Sequence, residues 1–516
     1  MAAETIFLGG GGEGYGDPQE LLLRMANRHG LIAGATGTGK TVTMQVLAEG
    51  FSAAGVPVFL SDVKGDLGGM ALPGQPSGKL HEAFMKRAAT IGLDDIGYRG
   101  CPVTFWDLFG AEGHPVRATV AEMGPLLLSR ILELTEAQEG VMNIAFRIAD
   151  EEGLPILDLK DLQSMLTFLG ENARELTLRF GTVSSASIGA IQRRLLVLEG
   201  QGADRFLGEP ALEIADLMAV DSDGRGRVNI LQAARLMQTP RLYATFLLWL
   251  LSQLFEELPE VGDPDKPKLV FFFDEAHLLF SGAPRALVEK VERVARLIRS
   301  KGVGVWFVTQ NPDDVPDAIL AQLGNRVQHA LRAFTARDQQ ALRRAAQTYR
   351  ANPRFDVESA IREVGTGEAV TSLLEPKGAP GVVERTLIRP PASLIGPIEP
   401  GVRAQLIAAS PFAGKYDTTI DSDSAHERLA RRAAEAAKAA EAALARAESE
   451  EAREFAHARR YEPPGGRTAR TPASSARKST RETPVEAFAK SFARQLGSRS
   501  GQAVVRGVLG GLFRGR

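Results

Sequence analysis

Cysteine is nearly absent from this 516-residue chain. Its single cysteine, Cys101, excludes an internal disulfide framework and suits a reducing cytosol. Net charge is also nearly absent, because 61 basic residues offset 63 acidic residues. A nucleic-acid partner would therefore need a local basic face. The amino-terminal residues lack the basic and apolar regions of a signal peptide. The longest apolar run, residues 242–255, is shorter than the roughly 20 residues of a membrane span. We predict a cytoplasmic protein.

A phosphate-binding motif is complete near the amino terminus. An apolar strand precedes it and a helix-forming run follows it, which is the context that a P-loop requires. The glycines let backbone N–H groups converge on phosphate oxygens, Lys40 is expected to reach the β- and γ-phosphates, and Thr41 to ligate Mg²⁺. The alternative is an accidental glycine-rich turn, which the full pattern disfavours. The predicted cofactors are ATP and Mg²⁺, bound by Gly34, Ala35, Thr36, Gly37, Thr38, Gly39, Lys40 and Thr41.

A second motif, FFFDEAHLLF, places two acids after a run of apolar residues. Apolar residues in succession are typical of a strand buried on both faces of a parallel sheet. Asp274 is expected to hold Mg²⁺ through water, and Glu275 to polarise the water that attacks the γ-phosphate. The alternative is that both acids cap the following helix. Beside a complete P-loop, the catalytic interpretation is favoured.

Two further strands end in polar residues. GVGVWFVTQNP ends in Thr309 and Gln310, and Gln310 is expected to sense the γ-phosphate or position the water, unless it makes a simple hydrogen bond at the strand end. GVPVFLSDVKGDL ends in Asp62, with Lys64 and Asp66 just beyond. These three residues either contact magnesium-bound water or a neighbouring subunit, or they form a turn.

The letters DEAH also name a group of two-lobed helicases. Such enzymes need a second α/β lobe of about 150 residues, yet the α/β pattern fades by about residue 390 and no Q-x-x-G-R-x-G-R motif occurs. The sequence therefore predicts one lobe. A single lobe usually borrows an arginine from the next subunit, and head-to-tail sharing of this kind closes identical subunits into a ring.

The predicted fold is an α/β RecA-like P-loop NTPase. Its parallel sheet is of the additional-strand type, with order 5-1-4-3-2 and the Thr-Gln strand between the P-loop strand and the Asp-Glu strand. A helical insertion and a largely helical or disordered carboxyl-terminal tail complete the chain. The predicted segments are a lead-in (1–27), a first core segment (28–66), a mostly helical insertion (67–226), a second core segment (227–395), a linker (396–424), an Ala-rich charged helix (425–460), a disordered linker (461–485) and a basic amphipathic tail (486–516).

Five stretches together resemble the HerA-like branch of the FtsK–HerA superfamily: NRHGLIAGATGTGKT, SDVKGDL, FFFDEAHLLF, IRSKGVGVWFVTQNP and GNRVQHALRAF. The resemblance covers about residues 5 to 395 and implies a hexameric, ATP-driven DNA translocase or helicase. It also implies that Arg28 acts on the ATP of the neighbouring subunit and that Arg299 contacts phosphate. Arg326 is a further candidate. The alternative for each arginine is a surface ion pair.

The chain departs from this family at its start. Members usually begin with a β-barrel, but here only about 27 residues precede Arg28, so a nuclease partner is unsupported. DNA binding follows from the resemblance and not from charge. The tail is expected to contact the DNA backbone or an anionic membrane surface, or else to pack as an ordinary helix. Its basic residues are Lys490, Arg494, Arg499, Arg506, Arg514 and Arg516.

The functional prediction is an Mg-ATP-hydrolysing ring motor that moves DNA. An alternative from another class is a nucleotide-switched assembly or binding protein that uses its tail to recruit a partner. A third is a motor for protein or conjugative transfer, against which the absence of membrane spans argues.

Overall fold

The computed structural model describes residues 4–280, 285–333 and 335–458. Its strands are β1 (Thr5–Gly11), β2 (Asp17–Leu22), β3 (Gly30–Ala33), β4 (Val58–Asp62), β5 (Val103–Asp107), β6 (His114–Pro115), β7 (Val228–Gln232), β8 (Leu269–Phe273), β9 (Val303–Thr309), β10 (Asn325–Gln328), β11 (Glu368–Ser372) and β12 (Glu384–Ile388). Its helices are α1 (Lys40–Ala53), α2 (His81–Thr90), α3 (Val120–Ile131), α4 (Glu136–Glu151), α5 (Leu159–Glu171), α6 (Ala173–Phe180), α7 (Ser185–Glu199), α8 (Ala203–Phe206), α9 (Ile214–Leu217), α10 (Pro240–Glu257), α11 (Arg285–Leu297), α12 (Asp317–Leu320), α13 (Ala336–Gln347), α14 (Val357–Glu363), α15 (Pro400–Ala408) and α16 (Ala425–Ala458).

The described strands form one sheet with the order β2-β1-β12-β11-β10-β3-β9-β8-β4-β7-β5-β6. Its five central strands, β10-β3-β9-β8-β4, are parallel and reproduce the predicted order 5-1-4-3-2. The Thr-Gln strand β9 lies between the P-loop strand β3 and the Asp-Glu strand β8, so the predicted fold class is confirmed. Because these strands are parallel, their carboxyl ends meet at one edge, where ligands of open α/β sheets bind.

Apolar residues cover both faces of the central strands. Every residue of β8 and β9 is buried. Phe272 stacks on Trp306 with ring centroids 5.8 Å apart and contacts Phe51 of α1. On the opposite face, Phe273 stacks on Phe307 at 5.9 Å. This two-sided burial explains why the sequences of β8 and β9 are almost continuously apolar rather than alternating.

The sheet extends beyond the five core strands in both directions. On one side, β5 of the insertion pairs with β7 of the second core segment, and β7 in turn pairs with β4, all in parallel. On the other side, β11 pairs antiparallel with β10, and β12 joins it to a hairpin of β1 and β2 built from the glycine-rich lead-in. The core therefore lies in the middle of a much wider sheet.

Residues 396–424, for which the sequence predicts a linker, pack along the compact unit. The Gly396 carbonyl accepts a hydrogen bond from the Gly69 N–H, the Tyr416 carbonyl accepts one from Arg117, and Ser424 donates to Asp161. These contacts tie the segment to the insertion.

The chain divides into two units, residues 1–425 and 426–516. The described part of the second unit is α16, a largely exposed helix. The predicted disordered linker and basic tail, residues 461–516, lie outside the described residues. Among the residues that are described, no helix is long and apolar enough to cross a bilayer.

Candidate active site

The P-loop joins the carboxyl end of β3 to the start of α1. Gly34, Gly37 and Gly39 all have positive φ values, of 152°, 79° and 116°. A Cβ atom on Gly34 would lie 2.5 Å from the Cβ of His329. The loop can therefore pass this close to its neighbour only with glycine at that position.

Lys40 is buried, and its ammonium group is folded back onto the loop. Its Nζ atom donates hydrogen bonds to the carbonyl oxygens of Gly34, at 2.6 Å, and Ala35, at 3.1 Å. Burial, followed by the nearby charge of Lys64, lowers the pKa of Lys40. Thr41 is half-buried in the first turn of α1. The lysine is thus held beside the backbone N–H groups that the loop offers to an anion.

Asp274 follows β8 directly and is 4% exposed. Its Oδ2 atom has no hydrogen-bond partner within the described chain. Burial raises the pKa of this carboxyl to about 7. An orphaned, buried carboxylate oxygen costs free energy unless it is satisfied by a cation or water, so Asp274 fits the ligand role predicted for it.

Three polar side chains contact the carboxylate of Glu275. Lys64 Nζ lies 2.7 Å from Oε1, and Gln310 Nε2 donates to Oε2 at 3.3 Å. His277 Nδ1 also lies 3.3 Å from Oε2. Burial alone would raise the pKa of Glu275, but the hydrogen bond and charge of Lys64 outweigh burial and hold it below its usual value. The structure thus brings the predicted base and the predicted sensor, Gln310, into contact.

The segment after β4 forms a turn, which is one of the two alternatives left open by the sequence. Asp62 is a turn residue, because its carboxylate accepts N–H hydrogen bonds from Gly65 at 2.7 Å, Asp66 at 3.2 Å and Leu67 at 3.1 Å. Lys64, on the same turn, belongs to the site because it reaches Glu275.

Arg28 and Arg299 lie at the opposite edge of the sheet from the P-loop. Arg28 ends a short helix just before β3, and Arg299 lies just before β9. Both approach Asp263, Arg28 Nη2 at 3.7 Å from Oδ2 and Arg299 Nη2 at 2.9 Å from Oδ1. At about 3.3 Å per residue, the strands put roughly 20 Å between Arg299 and the carboxyl edge. Neither arginine is therefore placed to touch phosphate in the P-loop of its own chain.

The guanidinium group of Arg326 is hydrogen-bonded within its own chain. Its Nε atom donates to the carbonyl oxygen of Leu323 at 3.2 Å and its Nη2 atom to that of Leu320 at 3.0 Å. These bonds satisfy carbonyls at the end of α12, so the contacts of Arg326 are structural.

Two buried histidines, His329 beside the P-loop and His29 at the amino edge of the sheet, were not singled out from the sequence. His329 bonds Thr43 of α1 at 2.8 Å and the Glu368 carbonyl at 3.0 Å, which fixes the loop from beneath. His29 accepts from the Val305 N–H at 3.0 Å and donates to the Ala295 carbonyl at 2.7 Å. Their signal in the sequence is position alone, since His29 directly precedes β3 and His329 directly follows β10.

The HerA-like helicase C-terminal family matches residues 12–516 of this chain. The chain belongs to this family. The resemblance predicted from the five motifs is therefore confirmed. No curated protein matches the chain.

The solved structures that are similar to this chain include the following three. An unbound form of the bacterial conjugative coupling protein TrwBdeltaN70 is 14% identical, with a TM-score of 0.46 over 76% of this chain and 92% of that chain. VirB4 of Thermoanaerobacter pseudethanolicus is 15% identical, with a TM-score of 0.47 over 75% and 96%. The plasmid coupling protein TrwB with a non-hydrolysable ATP analogue is 14% identical, with a TM-score of 0.48 over 76% and 93%.

Proposed function

We propose that this HerA-like chain is an Mg-ATP-hydrolysing motor that assembles into a ring, most simply a hexamer, and translocates DNA. The observation that carries the proposal is the division of polar groups between the two edges of the sheet. Lys40, Glu275 and Gln310 meet at the carboxyl edge. Arg28 and Arg299 lie at the amino edge, where they approach Asp263 of their own chain and would be available to a neighbouring subunit in a ring.

The chain has the groups needed to bind a nucleoside triphosphate. The N–H groups of the P-loop and the start of α1 face the phosphates. Lys40 exchanges the carbonyls of Gly34 and Ala35 for β- and γ-phosphate oxygens. When bound, Mg²⁺ would be held by the Thr41 hydroxyl and, through water, by Asp274, and would neutralise phosphate charge.

Glu275 and Gln310 act on the attacking water. Gln310 orients the water, and Glu275 accepts its proton as the oxygen bonds to the γ-phosphorus. The bond from the γ-phosphorus to the oxygen shared with the β-phosphate breaks at the same time, which releases ADP and inorganic phosphate. The low pKa of Glu275 keeps it ionised and ready to accept the proton.

The proposed ring and the proposed DNA substrate are supported by different observations. The ring follows from the position of Arg28 and Arg299, since a head-to-tail contact is needed to bring the amino edge of one subunit to the carboxyl edge of the next. DNA as the substrate follows from membership of the HerA-like helicase family. The near-neutral composition lends it no independent support.

The testing experiment is ATP hydrolysis by the full-length chain, with and without duplex and single-stranded DNA. Lys40→Ala should weaken nucleotide binding and stop turnover, whereas Glu275→Gln should bind ATP and fail to hydrolyse it. Lys79→Ala, which alters an exposed lysine, is the matched control. Strong stimulation by DNA would support translocation. Slow hydrolysis that ignores DNA would favour a nucleotide-switched assembly protein instead.

A further inference from the structure

The carboxylate of Glu275 is held by three side chains, of which Lys64 approaches most closely. Glu275 follows β8 in a left-handed backbone conformation, with φ 49° and ψ 48°, which is rare for a residue with a side chain. Its contacts with Gln310 and His277 are both 3.3 Å long. The shortest contact among the three is the ion pair to Lys64, at 2.7 Å. The orientation of this carboxylate therefore depends on Lys64 more than on the other two groups.

The base of the Lys64 side chain is held in place. The turn that carries it is closed by three N–H hydrogen bonds to the buried carboxylate of Asp62. Gly65 adopts a positive φ of 73° within this turn. Because the turn is fixed, the ammonium group is delivered to Glu275 from a defined direction, although 40% of the lysine side chain is exposed.

Lys64 also interacts electrostatically with acids other than Glu275. Its hydrogen bond to Glu275 and the charges of Asp274, Glu275 and Asp66 together raise the pKa of Lys64 in spite of its burial. The lysine is thus a permanent cation beside the two acids of the Asp-Glu motif.

We propose that Lys64 is a positioning residue for ATP hydrolysis, which holds the Glu275 carboxylate where it can take a proton from the attacking water. The inference rests on the proposed hydrolysis of ATP. Lys64 contributes no bond to the reacting atoms. Its effect is on the geometry of the base, and a displacement of the base by about 1 Å is enough to slow a reaction on the order of 100-fold.

The test compares Lys64→Met, which removes the charge and keeps the length, with Lys64→Arg, which keeps a cation. Steady-state hydrolysis should show a kcat about 10- to 100-fold lower for Lys64→Met and a KM for ATP changed by less than about twofold. Lys64→Arg should recover most of the kcat. Lys79→Met is the matched control and should behave like the unaltered chain.

A double variant checks whether Lys64 acts through Glu275. In single-turnover measurements, Lys64→Met should cause little further loss in a Glu275→Gln background, because the base is already absent. A further loss as large as in the unaltered background would overturn the proposal. So would an unchanged or increased kcat for Lys64→Met, or a raised KM at unchanged kcat, which would assign Lys64 to nucleotide binding.

The failure of the proposed function has a different signature. In that case the unaltered chain would hydrolyse ATP no faster than Lys40→Ala, and the role of Lys64 would fall with it. If the unaltered chain is active and Lys64→Met is equally active, only the positioning role is wrong. Binding of a fluorescent ATP analogue to each variant shows that the P-loop has folded.

Discussion

Two variants that are each inactive alone should hydrolyse ATP when they assemble into the same ring. One variant, Arg28→Ala combined with Arg299→Ala, keeps an intact P-loop but has lost the arginines of the amino edge. The other, Lys40→Ala, keeps both arginines but cannot bind ATP productively. Because the two sets of groups lie at opposite edges of the sheet, a complete site forms wherever the first variant receives arginines from the second.

The expected size of the effect follows from the structure. At about 3.3 Å per residue, β3 spans about 13 Å and β9 about 23 Å. This separation keeps the arginines at the amino edge away from the P-loop of their own chain. Removal of arginines that act on the transition state costs about 10³- to 10⁵-fold in kcat. In an equal, random mixture of the two variants, about a quarter of head-to-tail contacts join an intact P-loop to intact arginines. The mixture should therefore recover about a quarter of the unaltered rate, if the sites turn over independently.

The assay is steady-state hydrolysis by the co-expressed variants, compared with each variant alone. Arg24→Ala changes an exposed arginine of the same short helix and should retain full activity. Mixed rings that are no more active than the better single variant would refute the reasoning, because the arginines would then act within their own chain. Full activity of the double arginine variant alone would remove both from the mechanism.

Three further outcomes are expected. Gly34→Ala should abolish ATP binding in an equilibrium titration, since its Cβ would lie 2.5 Å from that of His329; normal affinity would contradict this. Glu49→Ala should lower the free energy of unfolding, measured in urea, by roughly 3 kcal/mol, because Arg389 loses its 3.1 Å ion-pair partner; an unchanged midpoint would count against it. Burial lowers the pKa of His29 from 6.5 to about 4, so its neutral ring stabilises the fold above pH 6.5. This contribution, roughly 3 kcal/mol, is lost as the pH falls toward 4, and the loss should shrink in His29→Gln.

The core of the fold could be predicted because three of its five central strands end in a motif. The P-loop identifies β3, the Asp-Glu pair identifies β8 and the Thr-Gln pair identifies β9. The chemistry of phosphoryl transfer requires these groups to converge, and parallel strands converge only at their carboxyl edge. The predicted order makes β8 and β9 neighbours, and the contact between Gln310 and Glu275 lies where these two strands end side by side.

The strands outside the five central strands end in no comparable sequence motif. The hairpin of β1 and β2 contains consecutive glycines, which normally weaken a strand. Here they allow close approach, since a Cβ on Gly9 would lie 2.1 Å from the Leu387 carbonyl oxygen of the neighbouring strand. Residues 396–424 read as a linker because they are rich in proline and glycine, and their contacts are with residues some 200 to 330 positions earlier. Long-range pairings of this kind leave no local periodicity to detect.

The same two strands that carry the catalytic groups also carry the arginines. β3 has Arg28 before it and the P-loop after it, while β9 has Arg299 before it and Gln310 after it. The two strands pack so closely that a Cβ on Gly30 would lie 2.3 Å from the ring of Trp306, and His29 bonds the start of β3 to Val305 in β9. A displacement at either edge must therefore move both strands together, because a close-packed interior transmits strain instead of absorbing it. In the proposed ring, this pair of strands would link the nucleotide of one subunit to the arginines that it offers to the next.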